Sequence, residues 1–224
     1  MPDSITLIPP PPAPGTAAML RDTEARRVAL TLRDTPRYAL ATADADRSTD
    51  ATYRAFQCSS GIDVTAKDTP VLYKLLAKMR LDVRAAAYRA KLRYRRPRPW
   101  VANNARVCAP SEDLVRDDGS YPSARGAVGW AYAIVLADLN PARRDMIMNR
   151  GLEFGQSRVV CDAEWQSDVD AGRTVGAAVA SRLRQVKQFQ SDLAAARREV
   201  ASEIASRRKV TTDCRLEGRS LASR

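Results

Sequence analysis

The sequence predicts an all-α protein folded as one domain. Apolar residues recur with a helical period in several long segments, cap-forming residues stand directly before prolines where some of those segments begin, and no segment shows strand alternation or an internal repeat. With 224 residues and 45% hydrophobic content, the chain can bury one sizeable core and is short for two.

The elements follow in order. Pro9 to Pro12 and Pro14, with only Ala13 between them, favour polyproline II and cannot enter a helix interior, so residues 1–19 read as an arm. Leu20, Val28, Leu32, Tyr38 and Leu40 suggest one or two helices broken near Pro36. Thr69-Pro70 reads as a cap and first-turn proline, opening a helix whose Leu72, Leu75, Leu76, Met79, Val83, Ala86 and Ala87 share a face and which runs to about Tyr94. Lys91 falls near its C-terminal end, and Pro97 and Pro99 place Arg98 in an exposed turn. Residues 101–120 have a loop composition. Ser123 caps a central apolar helix through Gly126, Val128, Gly129, Trp130, Ala133, Ile134 and Leu136. Asn140-Pro141 opens the next, through Met146, Ile147 and Phe154 toward Arg158 and Val160. Ser167 caps another, with Ala171, Val175, Ala178, Val179, Leu183 and Val186 at helical spacing. A last amphipathic helix spans about Phe189 to Ile204, so that residues 20–206 form the helical domain and 207–224 a basic tail.

Lys and Arg outnumber Asp and Glu by 37 to 26, a formal charge of +11. Such a field attracts phosphates and other polyanions, although pairs such as Arg143-Arg144, Arg197-Arg198 and Arg207-Arg208 also serve simply to solvate helix faces. There is no recognisable nucleic-acid module, and no apolar run approaches the roughly 18 residues of a membrane span. Met1-Pro2-Asp3 lacks the basic and apolar parts of a secretory leader, so an exported form would have lost its leader. Cys58, Cys108, Cys161 and Cys214 are too widely spaced for a zinc ribbon or a redox CxxC. Their even number fits two disulfides made in an oxidising compartment, in any of three connectivities, with four buried thiols as the other reading.

The chain contains no histidine. Lys91 is followed after six residues by Arg98-Pro99, then comes Tyr121-Pro122-Ser123-Ala124-Arg125, then Ser157-Arg158 with Glu164 and Asp168 behind it. That order and spacing resemble the bacterial class A non-specific acid phosphatases, in the type 2 phosphatidic acid phosphatase superfamily that also holds the vanadium haloperoxidases. The family signatures are K-x6-RP, PSGH and SR-x5-H-x3-D. Here Ala124 stands for the glycine, Arg125 for the first histidine and Glu164 for the second. The resemblance implies a helical bundle of the acid phosphatase/vanadium haloperoxidase type behind a proline-rich arm, with no metal and no cofactor. It implies that Lys91, Arg98, Ser123, Ala124 and Arg158 form an anion site at a helix N-terminus. It also implies a Cys108–Cys161 disulfide, which leaves Cys58 for Cys214, and a periplasmic or secreted location.

In the resembled family the histidine of the third motif is the nucleophile, oriented by the aspartate that Asp168 matches, and the PSGH histidine protonates the leaving alcohol. Both roles need a near-neutral imidazole. A carboxylate at Glu164 would repel an incoming phosphate by about 4 kcal/mol at roughly 4 Å and an effective dielectric of about 20. Arg125 is expected to keep its proton at physiological pH. The expectation is therefore a silenced phosphatase-like protein that acts by binding a phosphate-like anion or an anionic envelope component, either as a monomer or as a homo-oligomer. Arg125 and Glu164, opposite in charge, are expected to pair across the former site. The alternative is a repurposed enzyme in which Glu164, with Asp168 four residues on, is a carboxylate nucleophile or general base. A third reading is a scaffold for self-assembly or envelope binding.

Overall fold

The structure, a computed structural model, describes residues 1–206 and 209–222. These form helices α1 (Ser4–Leu7), α2 (Ala17–Leu30), α3 (Pro36–Asp44), α4 (Thr49–Arg54), α5 (Gln57–Ser60) and α6 (Pro70–Tyr94). They continue as α7 (Pro99–Ala102), α8 (Ala124–Leu139), α9 (Arg144–Val160), α10 (Gln166–Leu183), α11 (Lys187–Ala205) and α12 (Cys214–Ala222). Short 3-10 turns lie at Pro110–Val115 and Pro141–Arg143, and no strand occurs among the described residues. None of these helices is long and apolar enough to cross a membrane.

The bundle is organised around α8, which packs against α6, α9 and α10. Its Ala127, Ala131, Ala133 and Ala137 are fully buried, and their small size lets the neighbouring backbones come close. On α10, Gly172 and Gly176 lie one turn apart, where a Cβ would run into the carbonyls of Ser123 and Ala127. Leu72, Leu75, Leu76, Met79, Val83, Ala86 and Ala87 of α6 are buried together, as their spacing predicts. The arm is not free of the core: Ile8 is buried, and the Tyr121 hydroxyl donates to Pro9 O at 2.6 Å.

Several sequence expectations need correction. The Thr69 side chain does not cap α6. Instead Glu199 of α11 accepts from the amides of Val71 and Leu72 at 3.0 and 2.8 Å, so a helix from the other end of the domain satisfies these first-turn donors. The break near Pro36 is real, with Thr35 accepting from Tyr38 N, but Leu20 and Val28 of α2 are exposed. That helix docks through Asp22, which is buried against Arg96 and Ser167. Asn140 does not cap α9 either; its amide donates to Ser60 O, and a 3-10 turn precedes the helix. Met146 is exposed. The cap of α10 is Trp165 and not Ser167, because Asp168 reaches back to accept from Trp165 N at 2.7 Å. The basic tail includes a helix, α12, while Arg207 and Arg208 of that tail lie outside the described residues.

Two disulfides tie the bundle, Cys58 to Cys214 and Cys108 to Cys161, with Cα separations of 5.3 and 4.8 Å. The pairing implied by the resemblance is therefore present. Cys58–Cys214 fastens α12 to α5, and Cys108–Cys161 fastens the 101–120 segment to the end of α9.

Candidate anion site

One cavity draws its walls from the C-terminal half of α6, the turn before α7, the first turn of α8 and the end of α9. It encloses about 60 Å³. A single water needs about 10–15 Å³ by this measure, so the space suits a few waters or one small oxyanion. Lys91, Arg98, Ala124, Arg125, Arg158 and Glu164 all line it, so residues far apart in the sequence motifs converge on one place. Ser123 and Asp168 lie fully buried just behind.

The floor consists of three cations and their counter-charges. Lys91 Nζ donates to Gly119 O at 2.6 Å and Ser120 O at 3.1 Å. Burial pulls its ammonium down to about 8, although Glu164 opposes that shift. Arg98 is buried, not in an exposed turn as its flanking prolines suggest; Nε donates to Val115 O and Nη1 to Ala163 O. Arg158 makes a two-point pair with Glu112 at 2.7 and 2.8 Å. Burial works against the charge on Glu112, yet Arg158 and then Arg98 hold it down at about 2.

Glu164 sits among these cations. Its Oε1 lies 3.4 Å from Arg98 Nη1 and its Oε2 3.4 Å from Arg158 Nε. Burial pushes its carboxyl up, but Arg158, Lys91 and Arg98 together outweigh burial and hold it below the ordinary carboxylate range. Glu164 is thus an anion near neutral pH, in contact with two of the guanidiniums expected to grip phosphate. Asp168, at the orienting position, accepts from Arg96 Nη1 and from Trp165 N, both at 2.7 Å. Its burial pushes the carboxyl up to about 6 despite Arg96.

Arg125 does not pair with Glu164. Its Nη2 donates to the carbonyls of Asp44 and Asp46, and its guanidinium lies over the Phe154 ring with 5.3 Å to the centroid. Burial first, and then Arg158, pull it down to about 9, so it stays charged at neutral pH. Asp44 is itself held by Arg150 and by the Ser157 hydroxyl, so Arg125 hangs from the end of α3, which the first residue of the third motif helps to fix.

Sequence reasoning missed Arg96, Glu112, and the rim residues Arg47, Arg80 and Arg84, which line the same cavity. Arg96 sits inside the first motif's spacing and carried no signal of its own. Glu112 lies in a segment of loop composition, and its capture by Arg158, 46 residues away, has no local signature.

Comparison with known proteins agrees with this architecture. Residues 74–192 match the PAP2 superfamily model. A non-specific acid phosphatase of Providencia stuartii is 40% identical over 201 residues, covering 89% of this chain and 81% of that protein. One from Salmonella typhi is 40% identical over 195 residues, covering 86% and 78%. An acid phosphatase of Zymomonas mobilis subsp. mobilis is 31% identical over 199 residues, covering 88% and 75%.

Proposed function

Because the chain belongs to the non-specific acid phosphatases of the PAP2 superfamily, we propose that it is a silenced member that keeps an anion-binding cavity and acts by binding in an oxidising compartment. The observation that carries this reading is Glu164, whose carboxylate lies 3.4 Å from both Arg98 and Arg158, where a substrate phosphate would draw on the same guanidiniums. A chain without histidine supplies neither an imidazole nucleophile nor an imidazole acid. Arg125, at the acid's position, is charged at neutral pH and anchored to backbone carbonyls. Loss of nucleophile and acid/base partner in comparable catalytic units removes on the order of 10⁴–10⁶ of the rate. Two disulfides and the periplasmic or secreted setting implied by the resemblance support a location outside the reducing cytosol.

The repurposed-enzyme alternative asks Glu164 to act as a base or nucleophile. A general base works best with a pKa near the working pH, and Glu164 is driven the other way by Arg158, Lys91 and Arg98. The test is hydrolysis of a generic phosphomonoester by the purified protein. The expected rate equals that of a Lys91→Met/Arg98→Ala control. Turnover on the order of 1 per second or faster, abolished by Glu164→Gln, would refute the silenced reading and favour the alternative.

A further inference from the structure

The floor of the cavity is mostly neutralised by the protein itself, with two carboxylates against three cations, and the rim is not. Glu112 and Glu164 serve Arg158, Arg98 and Lys91, whereas Arg47, Arg80, Arg84 and Arg125 form no ion pair within 4.0 Å of any described carboxylate. Seven basic side chains line the cavity against two acidic ones, Asp118 and Glu164, and Glu112 behind Arg158 supplies a third, which leaves four positive charges over. Two of the rim arginines are held in place without being neutralised. Arg80 donates to Thr49 Oγ1 at 2.6 Å and to Arg47 O at 2.7 Å, and Arg125 donates to the carbonyls of Asp44 and Asp46. Arg125 Nε is buried with no hydrogen-bond partner among the described residues. Burial pulls Arg47 below the ordinary guanidinium value, and Arg158, Arg84 and Arg98 add to that pull against the opposing Glu112. Like charges crowded in this way store electrostatic energy that a bound anion releases.

We infer that the rim formed by Arg47, Arg80, Arg84 and Arg125 binds an oligophosphate group, that is, two or more linked phosphates. The inference rests on the reading that the site binds anions, and it moves the anion one tier outward from the motif residues. Orthophosphate near neutral pH brings at most two charges, half of what the cavity as a whole leaves over. Linked phosphates bring three or more and spread them along a chain, so that several guanidinium forks engage separate oxygens. Such a ligand would lie across the mouth, where Arg84 and Tyr88 are exposed. Glu164 keeps such a ligand off the floor by repulsion.

The experiment is calorimetric titration of the purified protein with inorganic diphosphate and with orthophosphate at fixed ionic strength. Diphosphate is expected to bind at least about 10-fold more tightly, and Arg47→Ala/Arg84→Ala to weaken it by about 100-fold, one order of magnitude for each guanidinium removed. Lys91→Met should weaken diphosphate binding less than the rim variant does, since Lys91 is committed to carbonyls on the floor. The Arg47→Ala/Arg84→Ala variant should be no less heat-stable than the parent, because neither guanidinium has an ion pair to lose among the described residues. A nucleoside diphosphate arm separates the two sources of an oligophosphate. Equal affinity assigns a free chain, whereas tighter binding lost in Tyr88→Ala assigns a nucleotide whose base packs on that ring. If Lys91→Met abolishes diphosphate binding and the rim variant does not, the inference fails while the anion-binding reading stands. If a control Arg197→Ala/Arg198→Ala, at two exposed residues of α11 that do not line the cavity, weakens binding as much as the rim variant, the attraction is diffuse and the inference fails. If neither anion binds, both fail.

Discussion

Glu164→Gln tests whether the carboxylate is the internal counter-ion of the floor. The substitution keeps the shape and one acceptor, and removes the negative charge from a site flanked by Arg98 and Arg158 at 3.4 Å each. Removing one member of a buried ion pair typically costs 3–5 kcal/mol; with the shape kept, about 3 kcal/mol is expected. For a domain of this size, 1 kcal/mol corresponds to about 2–4 °C, so Tm should fall by about 6–12 °C. Phosphate binding should move the other way. A phosphate charge about 5 Å from the carboxylate, at an effective dielectric of about 20, is repelled by about 3 kcal/mol, so the variant should bind orthophosphate on the order of 10²-fold more tightly. Phosphate at 100 times its Kd would then return about 2.7 kcal/mol, nearly the whole loss. Thermal unfolding with and without phosphate, joined to calorimetric titration, reads both effects on one protein. Glu24→Gln, which breaks an exposed pair with Arg27, should leave Tm and phosphate affinity unchanged. A Glu164→Gln protein with the parent's Tm and the parent's phosphate affinity would refute the counter-ion assignment.

Other outcomes follow from the same structure. Lys91 is held at about 8 against an ordinary 10.5, so between those values the unfolded chain carries more protons than the folded one and stability should rise with pH from about 8 to about 10. Arg125, pulled down to about 9, contributes in the same direction, and Tyr53 and Tyr121, pushed up to about 12, reverse the trend above about pH 10. Lys91→Met should flatten part of the rise, measured by urea unfolding across that range. Gly176→Ala should cost about 1–3 kcal/mol by pressing a methyl into the Ala127 carbonyl, seen as a lower urea midpoint with an unchanged slope. Glu199→Ala should cost about 1–2 kcal/mol by uncapping α6, and the amides of Val71 and Leu72 should lose hydrogen-exchange protection first.

The parts legible in the sequence are those governed by local rules. The α6 face could be read because seven apolar residues keep one period behind a first-turn proline, and α8 because Ser123 is a real cap, accepting from Gly126 N at 2.8 Å. The motif spacing was enough to gather Lys91, Arg98, Arg125, Arg158 and Glu164 around one cavity. What could not be read is who satisfies whom across the bundle. Leu20 and Val28 fit a period, yet α2 docks through the carboxylate of Asp22 onto Arg96 and Ser167, a tertiary polar interaction that hydrophobic spacing does not reveal. Thr69 looks like a cap, but its role is taken by a glutamate 130 positions further along.

The expected pairing of Arg125 with Glu164 fails for a reason of the same kind, and the reason shows what the two replacements do. Ala163 N and Glu164 N both donate to Arg158 O, at 3.0 and 3.2 Å, closing the turn after α9 back onto the residue that carries the floor's central guanidinium. Glu164 is therefore delivered to Arg158 by the backbone, and Arg98, fixed on Ala163 O, meets its other oxygen. A carboxylate held between two guanidiniums gains little from a third. Arg125 projects from the first turn of α8, where the carbonyls of Asp44 and Asp46, at and just past the end of α3, take one of its nitrogens and leave its charge intact. The two substitutions are thus not a mutually cancelling pair. One places a carboxylate between Arg98 and Arg158 on the floor, and the other places a guanidinium on the rim against the carbonyls of Asp44 and Asp46.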